Sequence, residues 1–194
     1  MVVSAHPIAS KIGTDILKKG GNAADATVAV HFALAVVYPS AGNIGGGGFF
    51  VYRTNKGEYS SLDFREKAPL NSSRNMYLDS NNEVIEGLST NSHLAVGVPG
   101  SVDGMVNIHD KYGELSWKEL IQPSIDLASN GFVITKLEAD KLNNFNNGKG
   151  RINDNTEYNK PKYKPGDSLS LPNLAKTLIK IRDYKRSGFY SGEV

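Results

Sequence analysis

Asn22-Ala23-Ala24-Asp25-Ala26-Thr27-Val28-Ala29-Val30-His31-Phe32-Ala33-Leu34-Ala35-Val36-Val37 is the stretch on which the fold turns. Ala23–Val37 is apolar almost all round and rich in small residues, the pattern of a helix buried on every side, and Asn22 stands where a cap is needed. It is not a membrane span, which needs about 20 apolar residues, because Asp25, Thr27 and His31 interrupt it. A helix of this kind requires neighbours, and the flanking sequence supplies them. Upstream, Ile8, Ile12, Ile16 and Leu17 recur at helical spacing before Lys18-Lys19-Gly20-Gly21, a signature of a helix C-terminus. Downstream come the glycine run Gly42-Asn43-Ile44-Gly45-Gly46-Gly47-Gly48 and two β-rich runs, Phe49-Phe50-Val51-Tyr52-Arg53 and Tyr59-Ser60-Ser61-Leu62-Asp63-Phe64. The turn-forming Thr54-Asn55-Lys56-Gly57-Glu58 joins those runs, which read as a hairpin.

Further on, the helical pattern returns through Val102, Met105, Val106 and His109 and ends at Gly113. Ser116-Trp117-Lys118-Glu119 and Thr135-Lys136-Leu137-Glu138 both fit the capping box, in which hydroxyl and carboxylate each satisfy an orphan backbone N–H, so two more helices start there. Leu171, Leu174, Leu178 and Ile181 mark a last helix with Pro172 in its first turn. Residues 143–165 are rich in Asn, Lys, Gly and Pro and poor in aliphatics, which predicts a long exposed loop. No internal repeat or heptad run is evident.

The 194 residues bound the molecule to one domain, or one domain and part of another. With 39% hydrophobic and 22% charged residues there is enough apolar side chain for a core, so wholesale disorder is excluded. Lys plus Arg (22) nearly balances Asp plus Glu (20), and the charges are spread along the chain, which gives a nucleic-acid partner no electrostatic support. The absence of cysteine excludes disulfides, thiolate zinc sites and a cysteine nucleophile. No basic segment followed by an apolar one opens the sequence, and Gly188-Phe189-Tyr190-Ser191-Gly192-Glu193-Val194 ends as though within a longer chain.

The glycine run invites a phosphate-loop reading, but its order is wrong. Phosphate loops run strand, glycines, helix, so that a helix N-terminus faces the anion; here a helix precedes the glycines and a β-rich run follows. Close backbone packing is the better reading, with backbone approach to some other substrate left open. His6, His31, His93 and His109 are far apart, no pair has the i, i+4 spacing of a helical metal site, and no metal is predicted. His31 reads as a core histidine. Ser92-His93 has no third orienting group and reads as loop, so no triad is proposed. Arg65, in Leu62-Asp63-Phe64-Arg65-Glu66-Lys67-Ala68-Pro69, leaves a strand end where its guanidinium could take a carboxylate through two parallel hydrogen bonds. On local pattern alone an ordinary surface ion pair with Asp63 or Glu66 is favoured.

The order and spacing of several motifs change that balance. Leu17-Lys18-Lys19-Gly20-Gly21-Asn22-Ala23-Ala24-Asp25-Ala26, the glycine run from Pro39 to Phe49, Asp63-Phe64-Arg65-Glu66 with Ala68-Pro69, and Met76-Tyr77-Leu78-Asp79 follow one another. Ser92-His93 then leads into Gly97-Val98-Pro99-Gly100-Ser101-Val102, followed by Lys111-Tyr112-Gly113, Gln122-Pro123-Ser124-Ile125 and Phe189-Tyr190-Ser191-Gly192. Taken together the sequence resembles the gamma-glutamyltranspeptidase family across nearly its whole length.

The resemblance implies an α+β fold: a partial N-terminal nucleophile hydrolase, αββα-layered when intact, of which residues 1–194 are a single incomplete domain, the N-terminal portion of the large subunit, helix-rich with a β-hairpin. It implies a self-cleaving precursor whose small subunit carries a nucleophilic Thr, and γ-glutamyl transfer or hydrolysis on glutathione and related amides without a cofactor. The family's Thr-Thr-His motif is absent here, so no catalytic residue is assigned and the segment alone is expected to be inactive. Arg65 matches the family arginine that binds the α-carboxylate of the γ-glutamyl group, with Asp63 and Glu66 expected to hold it or to shape the strand end. The resemblance also implies a secreted or periplasmic location. A poly-γ-glutamate depolymerase or cephalosporin acylase relative, or a non-catalytic fragment, are the alternative readings.

Overall fold

The computed structural model describes residues 1–147, 157–158, 162–192 and 194. Helix α1 (Pro7–Lys18) begins with Pro at its first position, where a missing N–H costs nothing, and with His6 as its cap. The His6 Nδ1 accepts from the Ile8 N–H at 3.2 Å. Helix α2 (Ala23–Val37) is the predicted central helix, and ten of its fifteen residues are buried. It lies directly against α1: a Cβ on Gly13 would come within 2.6 Å of the Val30 side chain, so the crossing depends on a residue with no side chain.

At the start of α2 the capping box is complete, Asn22 with Asp25. Asp25 does more than cap. Fully buried, it also accepts from the N–H groups of Glu114 and Leu115, tying α2 to the link between the next two helices. Those are α3 (Ser101–Tyr112) and α4 (Trp117–Asn130), the latter opened by the Ser116–Glu119 capping box. Phe32 of α2 meets the Trp117 ring edge-on, with centroids 5.8 Å apart, and the indole N–H donates to the Ile181 carbonyl at 3.0 Å. Ile181 belongs to α6 (Pro172–Tyr184), whose Ala175, Leu178 and Ile181 face the core. A short helix, α7 (Ser187–Tyr190), folds back from its end.

The hairpin forms as predicted: β1 (Phe49–Arg53) runs antiparallel to β2 (Tyr59–Asp63), with Phe49 opposite Asp63 and Arg53 opposite Tyr59. Its inner face carries Phe50, stacked on Tyr52 at 5.4 Å and packed on Tyr112 of α3. Strand alternation puts Phe49, Val51 and Tyr59 on the outer face, 66%, 80% and 77% exposed.

Residues 143–165 depart from expectation in part. Helix α5 (Lys136–Asn147) continues into this stretch, and Asn143 holds Tyr163 by both its side-chain amide atoms, at 2.8 and 3.0 Å. Tyr163 is only 4% exposed. A count of aliphatics passes over the tyrosines, whose rings bury as much apolar area as any aliphatic. Positions 148–156 and 159–161 lie outside the described residues. A two-residue ladder, β3 (Phe132–Val133) with β4 (Ser168–Leu169), flanks this region.

Candidate functional site

The site is assembled where the hairpin, the glycine run and the N-terminus of α3 meet. β2 ends at Asp63, and the Asp63 carboxylate turns back to accept the Arg65 backbone N–H at 3.0 Å. Phe64 donates its N–H to the Gly48 carbonyl at 3.0 Å, extending the ladder by one residue. Lys67 and Val98 then exchange backbone hydrogen bonds at 3.1 and 2.7 Å, which fixes the chain beyond Arg65. Arg65 therefore stands on a backbone bonded on both sides, although its side chain is 62% exposed. The guanidinium lies 5.9 Å from the Phe49 ring centroid, and Glu66 Oε1 stands 3.9 Å away, beyond hydrogen-bond reach. The guanidinium is largely exposed, and its N–H groups can donate to a carboxylate.

The glycines explain why this backbone can be held so tightly. A Cβ on Gly47 would come within 2.6 Å of the Phe64 carbonyl oxygen and the Glu66 nitrogen. One on Gly100 would run into the same carbonyl, and one on Gly104 would land on the Phe64 ring. Glycines 47, 100 and 104 thus form a socket for Phe64-Arg65-Glu66. Gly45, by contrast, has room for a side chain, so the run is glycine-rich beyond what packing requires.

Other candidate residues are used structurally. Ser92 donates to the Leu88 carbonyl at 2.5 Å and caps the 3₁₀ turn His93–Ala95, so its hydroxyl is occupied. His31 lies in α2 against Phe32; its Nε2 is enclosed without a partner, and burial pushes the ring's pKa down to about 4. His109 Nε2 lies 2.9 Å from the Leu115 carbonyl. Among the described residues no three metal-ligating side chains gather, and no helix is long and apolar enough to cross a membrane.

A cavity of about 490 Å³ opens elsewhere, between α1, the end of α2 and α5, and none of its lining residues belongs to the Arg65 segment. Its polar wall is a pair that sequence reading missed, His6 Nε2 with Glu138 Oε1 at 2.5 Å. Because His6 Nδ1 accepts from Ile8, the Nε2 carries the proton and donates. Burial opposes charge on Glu138, but hydrogen bonds from Thr135 and His6 outweigh it and hold the carboxyl below its usual range. The pair ties the caps of α1 and α5 together, and each group satisfies the other.

Comparison with known proteins places this geometry. The gamma-glutamyltranspeptidase family model matches residues 9–194, and the chain belongs to that family. The structure matches the crystal structure of Helicobacter pylori gamma-glutamyltranspeptidase with a TM-score of 0.93 and 45% identity, covering 100% of this chain and 57% of that one. The fold is accordingly part of an N-terminal nucleophile hydrolase, helix-rich with a small antiparallel hairpin. The chain is similar over its full length to the glutathione hydrolase proenzymes of Pseudomonas sp. strain A14 (50% identity) and Escherichia coli K12 (41%), spanning 34% of each. It therefore spans about a third of the length of these relatives.

Proposed function

We propose that the chain supplies the donor-binding part of a γ-glutamyl transferase or hydrolase acting on glutathione and related γ-glutamyl amides. Arg65 is the residue that takes the donor's α-carboxylate. One observation carries this reading: Arg65 stands on a backbone bonded on both sides, and its guanidinium is 62% exposed and paired with Glu66 only at a long 3.9 Å. A planar fork of N–H groups fixes both position and orientation of a carboxylate, whereas an ammonium fixes only distance.

In this reading residues 1–194 form one incomplete domain of a self-cleaving precursor, and the nucleophile lies outside them. The hydroxyl of an N-terminal Thr on the small subunit attacks the γ-carbonyl carbon, assisted by its own amine as base, and the amide C–N bond breaks. The departing amine takes up the proton, leaving a γ-glutamyl ester on the Thr. Water or an acceptor amine then attacks that ester, releasing glutamate or a new γ-glutamyl amide and restoring the hydroxyl. Arg65 holds the glutamyl group through both halves.

The test is p-nitroaniline release from γ-glutamyl-p-nitroanilide by the complete protein and by the 194-residue chain. Release by the matured complete protein alone is the expected outcome; release by the isolated chain would mean that a nucleophile lies within it. In the complete protein Arg65→Lys should cost about 2–4 kcal/mol, roughly 30- to 1000-fold in kcat/KM, since the charge survives and the paired hydrogen bonds do not. An unchanged kcat/KM would remove Arg65 from the site.

A further inference from the structure

Helix α3 starts in an unusual way. Its cap residue is Gly100, which offers no side-chain acceptor to the free N–H groups of the first turn. The reason lies across the interface: a Cβ at position 100 would collide with the Phe64 carbonyl, so a capping Ser, Thr or Asp is sterically barred there. Three of them, those of Gly100, Ser101 and Asp103, are satisfied from two other places. Gly46 accepts from the N–H groups of Gly100 and Ser101, at 2.9 and 3.0 Å. The Asp103 N–H goes to a residue 87 positions away: it donates to the Tyr190 hydroxyl at 3.2 Å. That hydroxyl in turn donates to the Pro99 carbonyl at 2.7 Å.

Tyr190 thus clasps the Pro99–Asp103 turn from behind while the turn's front presses on Phe64 and Arg65. Arg186 adds a second tether from the same short helix by pairing with the Asp103 carboxylate. The ring of Tyr190 is held independently, edge-on to Phe189 with centroids 5.0 Å apart. Half-burial raises the phenol's pKa above its ordinary value, so the hydroxyl stays protonated and able to donate.

We infer that Tyr190 is a positioning residue for Arg65: it stands in for the missing N-cap of α3 and so sets the wall against which the arginine's backbone is seated. The inference rests on the reading of Arg65 as the donor-carboxylate ligand. Tyr190 touches no substrate in this arrangement. Its effect reaches the donor only through the Pro99–Gly104 turn, Phe64 and Arg65.

The experiment is a double-mutant cycle in the complete, matured protein, with γ-glutamyl-p-nitroanilide as substrate. Y190F removes the hydroxyl and keeps the ring. We expect it to lower kcat/KM by about 5- to 10-fold, mainly through KM, the worth of one or two hydrogen bonds. In an R65A background the same substitution should change kcat/KM by less than about twofold, because nothing is left for it to position. R186A, an exposed change that tests the second tether even if Y190F fails to mature, should act in the same Arg65-dependent direction by about twofold. Equal losses from Y190F with and without Arg65 would overturn the inference in favour of a general structural role, and so would no loss from either tether variant. R65A is read first and separately: if it leaves kcat/KM unchanged, the carboxylate role of Arg65 falls, and the positioning role falls with it.

Discussion

His31 shows what the environment does to a single side chain. Its enclosed ring nitrogen has no partner and its pKa drops to about 4 from an unfolded value of 6.5. Between those values the unfolded chain binds a proton that the folded one refuses, so stability declines as pH falls from about 6.5 towards about 4. The expected loss between pH 7 and pH 5 is about 2 kcal/mol. Urea unfolding at the two pH values, compared with His31→Gln, checks it: the variant should lose the pH-dependent part and keep its other costs. The core position of His31 was legible in the sequence because its neighbours are apolar on all sides. Arg65 was not legible from its neighbourhood, where Asp63 and Glu66 pointed to a simple ion pair. In the structure the Arg65–Glu66 ion pair is present but long, at 3.9 Å, while Asp63 turns to the Arg65 backbone, so adjacency held half of the arrangement.

At the scale of elements, caps and turns do most of the organising. The capping boxes opening α4 and α5 involve residues three apart and are read directly from the sequence, whereas at α2 only the cap Asn22 is read there and the box with Asp25 is not. In the sequence Asp25 reads only as a break in the apolar run. Its capping bond to the Asn22 N–H is local, but its bonds to Glu114 and Leu115 span about ninety positions and leave no local pattern. Asp25→Ala removes a buried acceptor that serves the N–H groups of Asn22, Glu114 and Leu115, and we expect a loss of about 3 kcal/mol, measured as a lower denaturant midpoint. The glycine socket has the same mixed character: glycine at 47 could be read as close packing, but its partner in the contact, Phe64-Arg65, could not. Gly100→Ala should force that backbone aside and raise the donor KM by at least about 10-fold, since small displacements at a site are costly. A KM within twofold of the parent would show that the socket tolerates a methyl group. Tyr190 was visible only as part of a matching motif, because a hydroxyl that caps a helix from 87 residues away leaves no local pattern.

For the molecule as a whole, the outer face of the hairpin is an exposed apolar surface. Phe49, Val51 and Tyr59 share one mostly exposed face of a two-stranded sheet, an arrangement that invites association. The 194-residue chain by itself should self-associate at micromolar concentration, and replacing Val51 and Tyr59 with Lys should shift it towards monomer in sedimentation velocity. Monomers of the unaltered chain would show the face to be tolerated in water. Strand alternation decides which residues form this face, since Phe49, Val51 and Tyr59 take one side of the sheet and Phe50 and Tyr52 the other.

The only tryptophan of the chain, Trp117, lies outside this face, wedged between Phe32 and His109 and bonded to the Ile181 carbonyl. It makes the chain a selectively wired optical reporter. Emission follows the docking of α6 on α2 and α4, while the hairpin and the socket contribute no indole. A variant that loosens the Arg65 seat will keep its native emission spectrum and lose donor affinity, so the pairing of those two signals separates a disturbed site from a disturbed helical layer in a single cuvette.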